Sequence, residues 1–274
     1  MTNFFVEGKH QTVTGTNGTD NITVIGNLNK IDSLNGDDFI DILGNINKMN
    51  AGGGRDTVEL TGNNNTVNAG NGKDEVNVEG QNNTVNGGNG DDIIESTGGR
   101  NRLLGGNGND SINSFGHRNV IDGGNGNDRI SVRGNRNLIK GGTGSDYIEI
   151  LSGFNNRIDA GGGDDEVLGS QNADIIEGGA GNDILTGRGG KDVFVFATDS
   201  FGYTFEGQAF NYTDTITDFT QGQDKLAIEG FSFGQATRNS DGSYSFDNGT
   251  NVLTINFSNN VTLTAADFSS GNYF

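Results

Sequence analysis

The chain has 274 residues, among them 48 glycines, no proline and no cysteine, with 31% hydrophobic residues and a net charge of −19. The lack of cysteine excludes a disulfide framework and a thiolate metal site, and no stretch approaches the ~20 apolar residues of a membrane-spanning helix. Low hydrophobicity with this much charge ordinarily marks disorder, so an ordered state needs both regular repetition and cations to neutralise the acids.

The N-terminal run from Met1 to His10 has neither a basic n-region nor an apolar h-region, and no cleaved signal peptide is expected. Residues 1–14 are too few for a domain and predict an edge strand or cap. From about Gly15 the sequence becomes periodic. Asp20, Asp38, Asp56, Asp74, Asp92, Asp110, Asp128 and Asp146 follow one another at intervals of 18 residues. Most close a Gly-rich hexad, such as Gly105-Gly106-Asn107-Gly108-Asn109-Asp110. A fixed period of this length means stacked coils.

Two places after each aspartate stands an apolar residue: Ile22, Ile40, Val58, Val76, Ile94, Ile112, Ile130 and Ile148. A second apolar column falls half a coil away, at Ile31, Met49, Val67, Val85, Leu103, Ile121, Ile139 and Ile158. Two short strands per coil, each pointing mostly β-branched residues inward, predict an all-β fold: a parallel β-roll, or β-solenoid, over residues 15–192.

The other half of each coil reads G-x-x-N, from Gly26…Asn29 to Gly134…Asn137. Stacked identical asparagines predict an amide ladder with a structural role. A one-residue insertion around Leu151 to Gly153 moves the next members to Asn156 and Asp165. The aspartates then follow a nine-residue beat, Asp165, Asp174, Asp183 and Asp192. One edge thus carries aspartate turns throughout, and the other gains them only near its end.

Calcium takes six to eight oxygen ligands and tolerates irregular geometry. A Gly-rich turn offers exposed carbonyls and one carboxylate, and stacking brings a second set one strand spacing away. The candidate ligands are Asp20, Asp38, Asp56 and Asp74, then Gly88, Gly90 and Asp92, Gly106, Gly108 and Asp110, Gly124, Gly126 and Asp128, and Gly142, Gly144 and Asp146. Gly161, Gly163 and Asp165, Asp174, Gly179, Gly181 and Asp183, and Gly190 and Asp192 complete the set. The gaps between these turns admit up to about ten Ca2+ ions. Early turns such as Ser33-Leu34-Asn35-Gly36-Asp37-Asp38 lack the first two glycines and predict weaker or vacant sites.

Past Asp192 the composition changes, since 40 of the 48 glycines precede residue 193 and 12 of the 17 phenylalanines follow it. Residues 193–274 predict a capping domain in which Phe194, Phe196, Phe219, Phe231 and Phe233 cover the open end of the roll. Catalytic signals are poor. His10 and His117 stand alone without a nucleophile motif, and His117 reads as a solvated turn residue. Arg100, Arg118 and Arg136 stack at 18-residue spacing, either as a solvated row or as a groove for an acidic polysaccharide. The overall acidity disfavours nucleic acid. Asn89, Asn107, Asn125 and Thr143 share turn position three, which leaves ice binding as a minor alternative beside a polysaccharide-modifying enzyme.

The repeats resemble the RTX, or hemolysin-type, calcium-binding β-roll. The segments Gly187-Arg188-Gly189-Gly190-Lys191-Asp192-Val193-Phe194-Val195-Phe196 and Asp214-Thr215-Ile216-Thr217-Asp218-Phe219 are similar to the serralysin-type C-terminal region and to alginate-epimerase R-modules. The resemblance implies a secreted, extracellular protein exported by the type I secretion apparatus through a signal in the tail. Those families normally carry a catalytic or toxin domain before the roll and none is read here, so a non-enzymatic protein is expected. The net charge of −19 with a thin core predicts that it folds on binding Ca2+. The asparagine edge departs from the usual pattern of calcium turns on both edges.

Overall fold

The computed structural model describes residues 1–201, 203–205, 208–269, 271 and 273. The chain is a nearly all-β parallel solenoid of coils about 18 residues long, and it divides into two compact units, Met1–Leu138 and Ile139–Phe274.

In Met1–Leu138 the strands alternate between two parallel sheets. One runs Thr2–Glu7, Asp20–Ile25, Phe39–Leu43, Thr57–Thr61, Glu75–Glu79, Ile93–Thr97, Ser111–Phe115 and Arg129–Arg133. The other runs Thr12–Thr14, Lys30–Asp32, Lys48–Gly53, Thr66–Asn71, Thr84–Asn89, Arg102–Asn107 and Val120–Asn125. The register follows the sequence period, with Ile22 opposite Ile40, Ile40 opposite Val58, and Met49 opposite Val67. Thr2–Glu7 and Thr12–Thr14 are the first strands of these two sheets.

Burial alternates along each strand. In Thr57–Thr61, Val58 and Leu60 are buried while Thr57, Glu59 and Thr61 face outward. The column Ile22, Ile40, Val58, Val76, Ile94, Ile112 and Ile130 is 0% exposed, so water does not reach it. Each such side chain contributes about 1.5–3 kcal/mol of burial. The next inward position changes character along the unit: Val24, Ile42, Leu60 and Val78 give way to Ser96 and Ser114. Both hydroxyls accept hydrogen bonds, from Asn101 Nδ2 at 3.0 Å and from Asn119 Nδ2 at 2.9 Å.

In Ile139–Phe274 one sheet runs Tyr147–Ser152, Glu166–Leu168 and Ile184–Thr186, and continues in parallel with Tyr212–Ile216 and Val252–Phe257. The other runs Arg157–Gly162, Ile175–Ala180, Val193–Phe196 and Lys225–Ile228. Parallel pairing therefore runs on past Asp192 into the Phe-rich tail. It ends where Tyr244–Asp247 adds antiparallel to Val252–Phe257 and Thr237–Arg238 follows.

Phe194, Phe196, Phe219 and Phe246 are among the largest fully buried side chains, and Phe219 packs its ring 5.3 Å from that of Phe257. Phe233 departs from expectation. It is 38% exposed on a short 3-10 turn, with its ring 5.9 Å from Phe268, and does not cover the core. Phe246 and Phe257 fill the role assigned to it.

Candidate metal centre: the aspartate column

Each aspartate of the column begins, or immediately precedes, an inward-facing strand, so its side chain points under the turn. Asp20 through Asp128 are buried in the first unit, and Asp146, Asp165 and Asp183 in the second. One carboxylate oxygen has a fixed use. The backbone N–H of Asp74 donates to Asp92 Oδ1 at 2.8 Å, and that of Asp92 to Asp110 Oδ1 at 2.8 Å. The pattern runs from Asp20 to Asp128, and again as Asp146 to Asp165 at 2.7 Å and Asp165 to Asp183 at 3.0 Å. The insertion near Leu151 stretches one interval to 19 residues without breaking the ladder.

The asparagine edge is built in the same way. The backbone N–H of Asn83 donates to Asn101 Oδ1, and that of Asn101 to Asn119 Oδ1, both at 2.8 Å. The difference lies in the second side-chain atom. Asn101 Nδ2 donates to the Gly80 carbonyl at 3.0 Å, and Asn83 Nδ2 to the Gly62 carbonyl at 2.9 Å. The matching atom of the aspartates, Oδ2, is buried without a hydrogen-bond partner at Asp38, Asp56, Asp74, Asp92 and Asp110, and at Asp165, Asp183 and Asp214.

An unpaired buried acceptor costs about 1–3 kcal/mol, and a charged one more. Burial accordingly pushes Asp56 and Asp92 up to about 7 and Asp110 to about 6. It lifts Asp183 to about 7, and Asp165 and Asp192 to about 8, with neighbouring carboxylates adding to the rise. Groups in this state hold either a proton or a cation.

The turns supply further oxygens. Gly88 and Gly90 have φ of +115° and +120°, and a Cβ at either would collide with the carbonyl oxygen of Gly70 or Gly72 in the preceding coil. The carbonyls of one turn therefore point at the bare Cα atoms of the next. The same holds at Gly106, Gly108, Gly124 and Gly126, and in the second unit at Gly161, Gly163, Gly179 and Gly181. Gly142, Gly144 and Gly190 share the positive φ. Among the described residues no three carboxylate or histidine side chains converge, so an ion held between these turns would need carbonyl oxygens for most of its ligands. That donor set, all oxygen with two carboxylates per gap, fits calcium.

Not every aspartate is equivalent. Burial pushes Asp20 up, but hydrogen bonds from Thr16 and Thr2 outweigh it and hold the carboxyl below its usual range. The Thr16 backbone N–H reaches Asp20 Oδ2 at 2.6 Å. On the opposite edge, Ser170 N–H donates to Asp174 Oδ2 at 2.9 Å. Asp38, whose turn lacks the leading glycines, keeps its unpaired oxygen.

Two ladder members lie in the tail and escape the period. Asp183 N–H donates to Asp214 Oδ1 at 2.9 Å, and Asp192 N–H to Asp224 Oδ1 at 3.0 Å. Their signal is local: Asp214-Thr215-Ile216 and Asp224-Lys225-Leu226 repeat the aspartate-x-apolar step of every coil. His117 is more than a solvated residue, because its Nδ1 accepts the backbone N–H of Asn135 at 2.9 Å, as Asn27 Oδ1 does for Asn45. Arg100, Arg118 and Arg136 occupy equivalent left-handed positions at φ of 57–60°. They take part in none of the ion pairs among the described residues, which join Lys140 to Asp159, Arg157 to Glu177 and Arg188 to Glu149. No helix among the described residues is long and apolar enough to cross a membrane.

A parallel β-roll with stacked Gly-rich aspartate turns defines a calcium-binding β-roll protein. The family comparisons agree: RTX calcium-binding nonapeptide repeats match residues 95–130, and the peptidase M10 serralysin C-terminal region matches residues 158–273. The chain thus carries RTX repeats and a serralysin-type C-terminal region. A family of unknown function, DUF3060, matches residues 42–100, within the asparagine-rich coils. Among solved structures, the extracellular lipase LipA from Serratia marcescens is similar at 17% identity with a TM-score of 0.28, over 88% of this chain and 45% of that one. The chain therefore spans less than half the length of that lipase. No curated protein matches.

Proposed function

We propose that the chain is a secreted, non-enzymatic protein whose β-roll folds on binding calcium. The observation that carries this reading is the contrast between the two ladders of Met1–Leu138. The asparagine ladder satisfies both side-chain atoms with protein partners, whereas the aspartate ladder leaves Oδ2 buried and unpaired at Asp38, Asp56, Asp74, Asp92 and Asp110. Calcium would be held between consecutive turns by the aspartate carboxylates and the glycine carbonyls, and it supplies the positive charge that a fold of net charge −19 lacks. Binding energy then becomes folding energy. Residues 193–274 act as the cap and carry the export signal. Circular dichroism in millimolar calcium and in excess chelator tests the proposal: a fully β-structured chain in chelator overturns it.

A second reading rests on the arginine row. Three guanidinium groups one coil apart, outside every ion pair of the described residues, suit an acidic polysaccharide. Binding of an oligouronate that weakens with salt, and disappears when Arg100, Arg118 and Arg136 are all changed to alanine, would support it. Unchanged affinity in the triple variant would remove it.

A further inference from the structure

The outer face of the second sheet in Met1–Leu138 carries a trough of about 640 Å³ beside the glycine turns. Its floor is the row Gly52, Gly70, Gly88 and Gly106, bare because the stacked carbonyls leave no room for a Cβ. One wall is Asn50, Asn68 and Asn86. Asn68 Nδ2 donates to Asn50 Oδ1 at 2.7 Å, and Asn86 Nδ2 to Asn68 Oδ1 at 2.8 Å. The other wall is Asn71, Asn89 and Asn107, joined by Nδ2-to-Oδ1 bonds of 2.7 Å. A carboxamide has two N–H groups and two lone pairs, and a ladder uses one of each. Within the ladders, one donor and one acceptor per coil remain on each wall, repeated at the strand spacing of about 4.8 Å.

No ionisable side chain lines the trough, in a chain whose net charge is −19. Nucleic acids and acidic polymers find no counter-charge in it. An extended peptide repeats its same-side groups every two residues, about 6.7 Å, out of step with rows about 4.8 Å apart. An extended β-1,4-linked chain of sugar rings offers hydroxyls that both donate and accept on every ring, and rings facing the same way recur at every second ring, close to two coil spacings. The trough runs across five coils from Leu34 to Asn107, a length of about 19 Å, enough for several rings. We propose that this trough binds an uncharged, extended glycan lying along the axis of the roll, with its hydroxyls on the two carboxamide walls. The site is separate from the arginine row; it lies on the outer side of the Gly-rich turns and shares Gly88 and Gly106 with the candidate calcium ligands.

The test uses the full chain in saturating calcium, with its circular dichroism recorded before any glycan is added, so that a failure to fold is read separately from a failure to bind. Calorimetry then compares neutral β-1,4-linked hexasaccharides of glucose and of mannose with a galacturonate hexamer. A neutral hexamer should bind with an affinity independent of salt, and Asn68→Leu with Asn86→Leu should weaken it roughly tenfold or more, each tenfold step being about 1.4 kcal/mol. Leucine suits the column, since Leu104 pairs with Asn86 in the next strand. If that variant misfolds, Asn71→Thr with Asn89→Thr serves instead, threonine being already present in this column at Thr143. The proposal is overturned if neither neutral hexamer binds, if the folded variant binds as well as the parent, or if the galacturonate hexamer is preferred. Thermal hysteresis without glycan binding would overturn it in favour of an ice surface.

Discussion

The backbone N–H of Asp183 donates to Oδ1 of Asp214 at 2.9 Å, although 31 residues separate them. Asp214 thereby takes the place that the next coil would fill, and its other oxygen is buried and unpaired like those of the repeats. Burial, with the charge of Asp183 beside it, raises its carboxyl well above the usual range. The tail thus continues the electrostatics of the roll as well as its hydrogen bonding.

Truncation after Thr198 removes Asp214 and Asp224, along with Phe219, Phe246 and Phe257. The shortened chain keeps nearly all the Gly-rich turns but should fold poorly even in excess calcium, because its last parallel strands and its apolar core lie open. A calcium titration followed by circular dichroism checks this. A midpoint equal to that of the full chain would make the cap dispensable.

Changing Asp92 to asparagine turns one coil of the charged ladder towards the neutral kind. The variant should bind fewer calcium ions by calorimetry. In chelator its roll should gain on the order of 1–3 kcal/mol, since a buried unpaired carboxylate is removed. An unchanged stoichiometry would show that Asp92 holds no ion.

The ion-free roll should prefer acid. Asp56, Asp92 and Asp183 are raised to about 7, and Asp165 and Asp192 to about 8, chiefly by burial. An unfolded aspartate titrates near ~3.9, so between these values the fold holds more protons than the unfolded chain, and its stability falls as pH rises. This contribution is complete below about pH 4 and lost as pH climbs through 7 to 8. In chelator the β-signal should therefore grow on going from pH 8 to pH 5. In calcium the order reverses, because protons compete for the same oxygens, and the calcium midpoint should drop as pH rises. Equal β-signal in chelator at both pH values would contradict the assigned burial.

Ile46 sits at φ 60°, a left-handed conformation in which a β-branched residue is strained, and its side chain is half exposed. Asn64 and Asn82 hold the same place in the next coils at φ 59° and 56°. Ile46→Asn should raise stability by about 1 kcal/mol, since the left-handed penalty is ~1–2 kcal/mol and asparagine bears less of it. Thermal unfolding in calcium measures this, and a lower melting temperature would mean that the apolar side chain has a packing role.

The coil period, both apolar columns and the aspartate turns are legible in the sequence because a two-sheet roll repeats every inward position at one interval. Ile22 above Ile40 above Val58 leaves no other register. Asp214 and Asp224 are not legible that way, because long connections separate them from Asp183 and Asp192 and the interval is lost. Phe233 misleads for another reason: enrichment of a residue type says which segment is apolar, not which ring faces inward. The unpaired state of Oδ2 is also invisible in sequence, since aspartate and asparagine stack alike and differ only in what the second atom meets.

Each interior aspartate borders two gaps, one towards the coil before it and one towards the coil after. Asp92 bonds the amide of Asp74 while its own amide bonds Asp110, so an ion that orders its carboxylate prepares both neighbouring gaps at once. Filling one gap therefore favours filling the next, as in any one-dimensional array with nearest-neighbour coupling. If calcium folds the roll as proposed, the response should be a threshold rather than proportional to concentration, with the roll closing over a narrow range of the ion and staying open below it.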